Sequence, residues 1–243
     1  MKVSGNVAQV RTDRLFTLHD YYYSDMWEKA LKNAVAENTV NVLEIASGDE
    51  DMIPRMMDKI FSIESQYVSF NMNKHLAQEL YSKTNSLEIS VLVMEEDIKL
   101  IPDYFGPEYF NLVIFQDSIE DIIQATLFHK EGIDIIDSVS MEVLPLDFAK
   151  IIHKELQEGI LERNVKKEFL NLLSDCMDTM AHNGMMIFSQ NMFKVNFDTE
   201  YSCEFCHDTL PRARKWILES DMMLQEIELG GFDRQWWMFL RKK

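Results

Sequence analysis

The stretch Asn41–Asp51, NVLEIASGDED, constrains the fold more than any other part of the chain. Val42, Leu43 and Ile45 form an apolar run with Glu44 embedded in it, and the run stops abruptly at Ser47-Gly48-Asp49. This pattern predicts a buried strand feeding a tight glycine turn. A helix then opens near Pro54, where a proline's missing N–H costs nothing because first-turn donors have no partner inside the helix. Strand, glycine turn and helix start, in that order, make the ligand-binding end of an open α/β sheet. Backbone N–H groups at such a turn and at the helix start behind it can receive a ligand's polar groups.

The rest of the chain supplies the alternating units that such a sheet needs. Leu15–Ala36 carries Phe16, Leu18, the run Tyr21-Tyr22-Tyr23, Met26, Trp27, Ala30 and Leu31. From Ser24 the apolar spacing is helical (26, 27, 30, 31, 34), with Ser24 or Asp25 as cap and an end near Glu37-Asn38. A helix is predicted over Met52–Ile63, a second strand over Tyr67–Met72, and a helix capped by Asn73 with Leu76, Ala77, Leu80 and Tyr81 on one face. Leu87–Met94 reads as a third strand that stops at Glu95-Glu96-Asp97. Tyr109–Phe115 reads as a fourth, fully buried strand ending at Gln116-Asp117. Strands alternating with helices imply a parallel sheet with both faces covered.

Residues 118–167 exceed what one crossover requires. Ile119–Phe128 looks helical, Gly132–Pro145 is mixed, and Phe148, Ile151, Ile152, Leu156, Ile160 and Leu161 form an apolar helical stripe. The segment is read as a helical insertion serving as a lid, since long excursions from compact domains tend to carry function. Glu168–Ala181 resumes the regular crossover, with Asn183-Gly184 as its C-terminal stop, and Met185–Ser189 is the fifth strand. A loop with Cys203 and Cys206 and a helix from Pro211 to about Asp221 follow. LQEIEL and FDRQWWMFLR around Gly230-Gly231 then form an antiparallel hairpin. The whole chain, 1–243, is read as one domain, with 15–36 as an N-terminal aromatic helical segment.

Charge excludes one class of partner. The net charge of -17 disfavours binding to phosphate backbones, which rests on Lys and Arg neutralising phosphates. The basic clusters Lys166-Lys167 and Arg212, Arg214, Lys215 read as solvated helix faces. The N-terminus lacks the apolar stretch of a signal peptide, and no run of about 18 apolar residues exists for a membrane span. Three cysteines do not make a disulfide scaffold, so a reducing cytoplasm is the expected compartment. Cys203-Glu-Phe-Cys206-His207 fits a haem-attachment spacing only formally, and a zinc site there lacks an evident fourth ligand beyond Asp208. No metal is therefore expected.

On these residues the chain resembles the class I S-adenosylmethionine (SAM) dependent methyltransferases, over roughly 15–117 and 168–243. LEIASGDE looks like a variant of their acid-and-glycine turn. The resemblance implies that Glu44 orients the methionine ammonium, while Ala46, Ser47, Gly48 and Asp49 line the cofactor's amino-acid end. The position of the ribose-binding acid falls at Asn71, followed by Met72. Asp97-Ile98 matches the pair that receives the adenine, and Gln116 closes the fourth strand beside the cofactor. The order and spacing of these pieces, with Asn71 about 23 residues after Gly48 and Asp97 about 26 further on, are what βα units of ordinary length produce. The implied architecture is a Rossmann-like three-layer sandwich. Its mostly parallel seven-stranded sheet carries an antiparallel C-terminal hairpin and a helical insertion after the fourth strand. Three departures stand out: Asn71 for the acid, Glu50 for the third glycine, and Ala46, whose methyl fits if its φ stays negative.

The implied activity is SAM-dependent methyl transfer to a small-molecule acceptor. Methyl transfer is an in-line displacement, so aligning the nucleophile is the main task, and a base is needed only for a poorly ionised one. His19 and Asp117 are the candidates for the catalytic role, and Tyr21 and Tyr22 for contact with substrate. An acidic, aromatic pocket suits an amine or other small substrate. The absence of an N/D-P-P-Y sequence after the fourth strand, where FQDS stands, argues against amino-methylation of nucleic acids. The alternative is a catalytically silent relative acting as a binding or regulatory partner, which Glu50 and Asn71 keep open. A nicotinamide dehydrogenase is disfavoured because the turn lacks the glycines that admit a pyrophosphate. The acceptor atom is not written in the sequence, and a homodimer is left open.

Overall fold

The computed structural model describes residues 21–130, 159, 163, 165–190 and 200–243. A helix over 21–34 (α1) precedes β1 (Asn41–Ile45), α2 (Met52–Ile60), β2 (Gln66–Phe70), α3 (Lys74–Thr84) and β3 (Ser90–Met94). A 3-10 turn (Ile98–Leu100) leads into α4 (Ile101–Tyr104), then β4 (Phe110–Gln116) and α5 (Ile119–Lys130). The chain continues with α6 (Lys166–Thr179), β5 (Met180–Ser189), α7 (Glu200–Leu218), β6 (Leu224–Ile227) and β7 (Trp237–Lys242).

Among the described residues the strands form one seven-stranded sheet in the order β3-β2-β1-β4-β5-β7-β6. The first five are mutually parallel; β7 runs antiparallel to both β5 and β6. Side chains alternate across this sheet, so each strand feeds two cores. Leu43, Ile45, Val68, Phe70, Val113, Phe115 and Phe188 meet helices α4 to α7 on one face. Val42, Tyr67, Leu112, Ile114 and Ile187 meet α1 and α2 on the other. Covered on both faces, the central strands can be apolar almost throughout, which is why β1 and β4 read as runs rather than alternations.

Helix α1 seals its face with Tyr23, Met26, Trp27, Ala30 and Leu31, a stripe at helical spacing. Trp27 is fully buried, with its ring centroid 4.9 Å from that of Trp237 on β7. The predicted start at Ser24 is therefore late: the backbone is already helical at residue 21, and the apolar face begins at Tyr23.

Four expectations need correction. Thr179 ends α6, and Asn183-Gly184 is no helix stop but an irregularity inside β5, where the pairing jumps from Phe110↔Met180 to Leu112↔Met185. Cys203 and Cys206 lie on α7 rather than in a loop, because α7 begins at Glu200 and runs through Pro211. At the sheet edge β3 is only partly covered, and Leu92 is 38% exposed. Finally, the hairpin does not turn tightly at Gly230-Gly231, since β6 ends at Ile227 and β7 begins only at Trp237. Arg214 of α7 organises that longer connection: it donates to Glu226 Oε1 (2.9 Å) and to the carbonyls of Arg234 (2.7 Å) and Trp237 (2.8 Å). Of the predicted insertion, α5 is described; the apolar stripe from Phe148 to Leu161 lies outside the described residues.

Gly184 is required by close approach rather than by turn geometry. A Cβ built there meets the Ala181 carbonyl oxygen at 2.8 Å, Met180 Cγ at 2.9 Å and the Asn111 carbonyl oxygen at 3.2 Å. Gly184→Ala should therefore destabilise the fold by about 1–3 kcal/mol, the cost of overpacking a site walled by backbone. Denaturant unfolding would measure it, and an unchanged midpoint would contradict the steric argument.

Candidate functional site

Parallel strands end together, and that brings the candidate residues to one edge. Ile45, Phe70 and Met94 are paired across β1, β2 and β3. The Ala46 amide continues the ladder to the Phe70 carbonyl (3.2 Å), and the Asn71 amide to that of Met94 (2.9 Å). On the other side Glu44 pairs with Ile114, so Ala46 stands level with Gln116, which pairs with Ser189 of β5. The Asp117 amide then donates to the Ser189 carbonyl (3.1 Å). Strand order reverses between β1 and β4, and the crevice that opens there is flanked by the glycine turn and by Gln116-Asp117.

The turn itself is left-handed twice, at Ala46 (φ 54°) and Gly48 (φ 61°). The condition under which the Ala46 methyl fits easily, a negative φ, is not met. Its methyl stands in a backbone region that costs an L-residue roughly 1–2 kcal/mol. At Gly48 an added Cβ would meet only Leu76 Cδ1, at 4.0 Å, so the position demands glycine for its φ and faces open space. Glu50 is exposed and its amide closes onto the Ser47 carbonyl (3.2 Å).

Beneath the turn lies a buried polar layer. Glu44 is 1% exposed and accepts from the Tyr67 hydroxyl (2.6 Å), while Ser47 Oγ and Ser69 Oγ are 2.6 Å apart. Asn71 is also buried; its Nδ2 donates to the Gly48 carbonyl (2.7 Å) and its Oδ1 accepts from the Asn73 amide (3.3 Å). At the rim, Lys83 of α3 donates to the Asp49 carbonyl (2.8 Å) and to its carboxylate, and that hydrogen bond holds the Asp49 carboxyl below its usual range. Arg55 ties the start of α2 to the end of α3 through Asp51 (2.6 Å) and the Lys83 carbonyl (3.0 Å).

Asp97 is exposed and caps the 3-10 turn, accepting from the Lys99 amide (3.0 Å); Ile98 packs on the core and Met72 is 36% exposed. Gln116 Oε1 and Ser118 Oγ are buried and, among the described residues, have no hydrogen-bond partner. They are acceptors that a ligand's donors would satisfy.

Of the aromatic run, Tyr21 and Tyr22 are 71% and 60% exposed and lie off the buried face of α1. Tyr23 reaches the carboxyl ends of β4 and β5. Its hydroxyl donates to Asp117 Oδ1 (3.1 Å) and lies 2.7 Å from Ser189 Oγ, so α1 is fastened across the carboxyl ends of β4 and β5. The signal was in the spacing: Tyr23, Met26, Trp27, Ala30 and Leu31 share a face, and residues 21 and 22 fall off it. His19 lies outside the described residues.

Two outcomes follow from this geometry. Ala46→Gly should raise stability by about 0.5–1 kcal/mol, since relief of the left-handed strain outweighs the greater chain entropy of glycine. A drop in the unfolding midpoint would contradict the φ. Burial, with nearby Asp117 and Glu44 adding to it, pushes the Tyr23 and Tyr67 hydroxyls well above 10.0. Their folded values exceed their unfolded ones, so the stabilisation is complete below that pH and is lost as pH rises toward the folded values. An alkaline absorbance titration should show these two of the eight tyrosines staying neutral until the protein unfolds.

No protein-family model matches this chain, and no curated protein matches it in sequence. Solved structures do match in shape. A SAM-dependent methyltransferase from Aquifex aeolicus superposes with a TM-score of 0.53 at 11% identity, over 88% of this chain and 87% of that one. A candidate SAM-dependent methyltransferase from Methanococcus maripaludis also gives 0.53 at 11% identity, over 100% and 97%. Sheet order, the antiparallel closing strands and the crevice at the strand reversal agree with this likeness. The chain has the Rossmann-like fold of the class I SAM-dependent methyltransferases.

Proposed function

We propose that this chain binds SAM across the carboxyl ends of β1 to β4 and transfers its methyl group to a small-molecule acceptor. The observation that carries the proposal is the doubly left-handed turn after β1, opening at the strand reversal above a buried glutamate. The residues present fit the cofactor. Gly48 leaves space for close approach, Glu50 turns to solvent, and Gln116 Oε1 is a buried acceptor without a partner among the described residues.

SAM, when bound, would supply a sulfonium methyl group whose carbon an acceptor's lone pair can attack, with the C–S bond breaking and neutral S-adenosylhomocysteine as the leaving group. In this reading the turn at Ala46, Ser47 and Gly48, with Glu44 below it, receives the amino-acid end. Asn71 and Met72 flank the ribose, Asp97 and Ile98 the base. Asp117 stands at the acceptor side, held by Tyr23, and takes up the proton of an acceptor that must lose one. Tyr23 and the rest of the buried face of α1 exclude water there.

The acidic chain, with its net charge of -17, favours a small acceptor such as an amine over nucleic acid. No described helix is long and apolar enough to cross a membrane. A cytoplasmic protein, alone or as a homodimer, suits this reading. One observation favours the second reading, a catalytically silent binding or regulatory partner: Asn71, at the ribose position, is already bonded to the Gly48 carbonyl.

Calorimetric titration separates the two. Binding of SAM in the micromolar range is expected of the enzyme, and no heat at millimolar ligand would leave only the partner. Mass spectrometry of small molecules released from the purified protein by denaturation should then find SAM or S-adenosylhomocysteine.

A further inference from the structure

Within itself the turn after β1 is closed by the Glu50 amide on the Ser47 carbonyl (3.2 Å), a single long backbone bond. Its first left-handed position is an alanine and its third customary glycine is Glu50, so its conformation depends on what grips it. Three successive residues are each gripped from the next βα unit: Ser47 by Ser69, Gly48 by Asn71 and Asp49 by Lys83. Asn71 is the central grip. It is 5% exposed, its Nδ2 holds the Gly48 carbonyl at 2.7 Å, and its Oδ1 holds the amide of Asn73, the N-cap of α3. One side-chain amide therefore links the turn to the helix behind it, a task that needs a donor and an acceptor on the same group.

We infer that Asn71 and Lys83 are positioning residues for the turn, and that Asn71 serves the cofactor by fixing Gly48 rather than by holding the ribose. The inference rests on the SAM reading for its functional half. It explains why the position tolerates the loss of an acid. A carboxylate there would have no N–H for the Gly48 carbonyl and would set an anion against that oxygen.

The two roles give opposite outcomes for Asn71→Asp. A ribose-holding residue should gain affinity from the charge-assisted bond, whereas a turn-holding residue should lose it. S-adenosylhomocysteine titrated into the full chain should bind the N71D protein about tenfold more weakly than the wild type. Lys83→Met, at an exposed position that does not threaten folding, should weaken it about threefold. Hydrogen exchange without ligand gives an independent readout. Amides of 46–51 should exchange faster in both variants, while those of β4 and β5 stay protected.

Equal or tighter binding by the N71D protein, or unchanged exchange at 46–51, would overturn the inference. Should the N71D protein fail to fold, the K83M exchange decides by the same criterion. A wild-type protein that ignores S-adenosylhomocysteine sinks the SAM reading instead, and the exchange result still says whether these residues hold the turn.

Discussion

Parallel register is the constraint on which the rest of this molecule depends. Because β3, β2, β1, β4 and β5 run the same way, the segments after all five reach one edge together, and the strand order reverses there. The polar groups of that edge are exposed or partly exposed above the sheet, while the residues just below them are shut into the core. Glu44, Ser47, Ser69, Asn71, Gln116 and Ser189 are all buried, yet they lie within a turn or a strand end of the open edge. A sheet of antiparallel neighbours would have sent half of them to the opposite end.

Burying that many polar groups is tolerable because most of them satisfy one another. Tyr67 with Glu44, Ser69 with Ser47, and Asn71 with the Gly48 carbonyl each match a donor to an acceptor in surroundings where an unmatched group would cost about 1–3 kcal/mol. Tyr23 extends the same layer across β4 and β5, so the helix that seals one core also reaches the edge where the chemistry is proposed. Stability and site geometry thus share their hydrogen bonds. Exposed ion pairs away from this edge, such as Lys29 with Asp25, matter less.

Backbone conformation at this edge is unusual in the places a ligand would touch. Ala46, Gly48 and Asp117 all have left-handed φ, and two of the three carry a side chain. Conformations of this kind persist only where the surroundings over-determine them. Here the surroundings are visible: Asp117 is fixed by its amide on Ser189 and its carboxylate on Tyr23, and the turn is gripped from β2 and α3.

The sequence by itself determined the order of strands and helices, the glycine turn after β1, the antiparallel closure and the places where β1, β2 and β4 stop. Those follow from local periodicity, from where apolar runs stop, and from spacing that one βα unit sets. It did not determine what only non-local contacts decide. The sign of φ at Ala46 depends on pairing with Phe70 and on the grip of Asn71, not on the alanine itself. Tyr23 rather than its two neighbours reaches Asp117 because the docked face of α1 fixes the helix rotation. Asn183-Gly184 looked like a helix end because that pair usually is one. The Asn111 carbonyl, 73 residues before Gly184, approaches it where β5 shifts register against β4, within a strand instead.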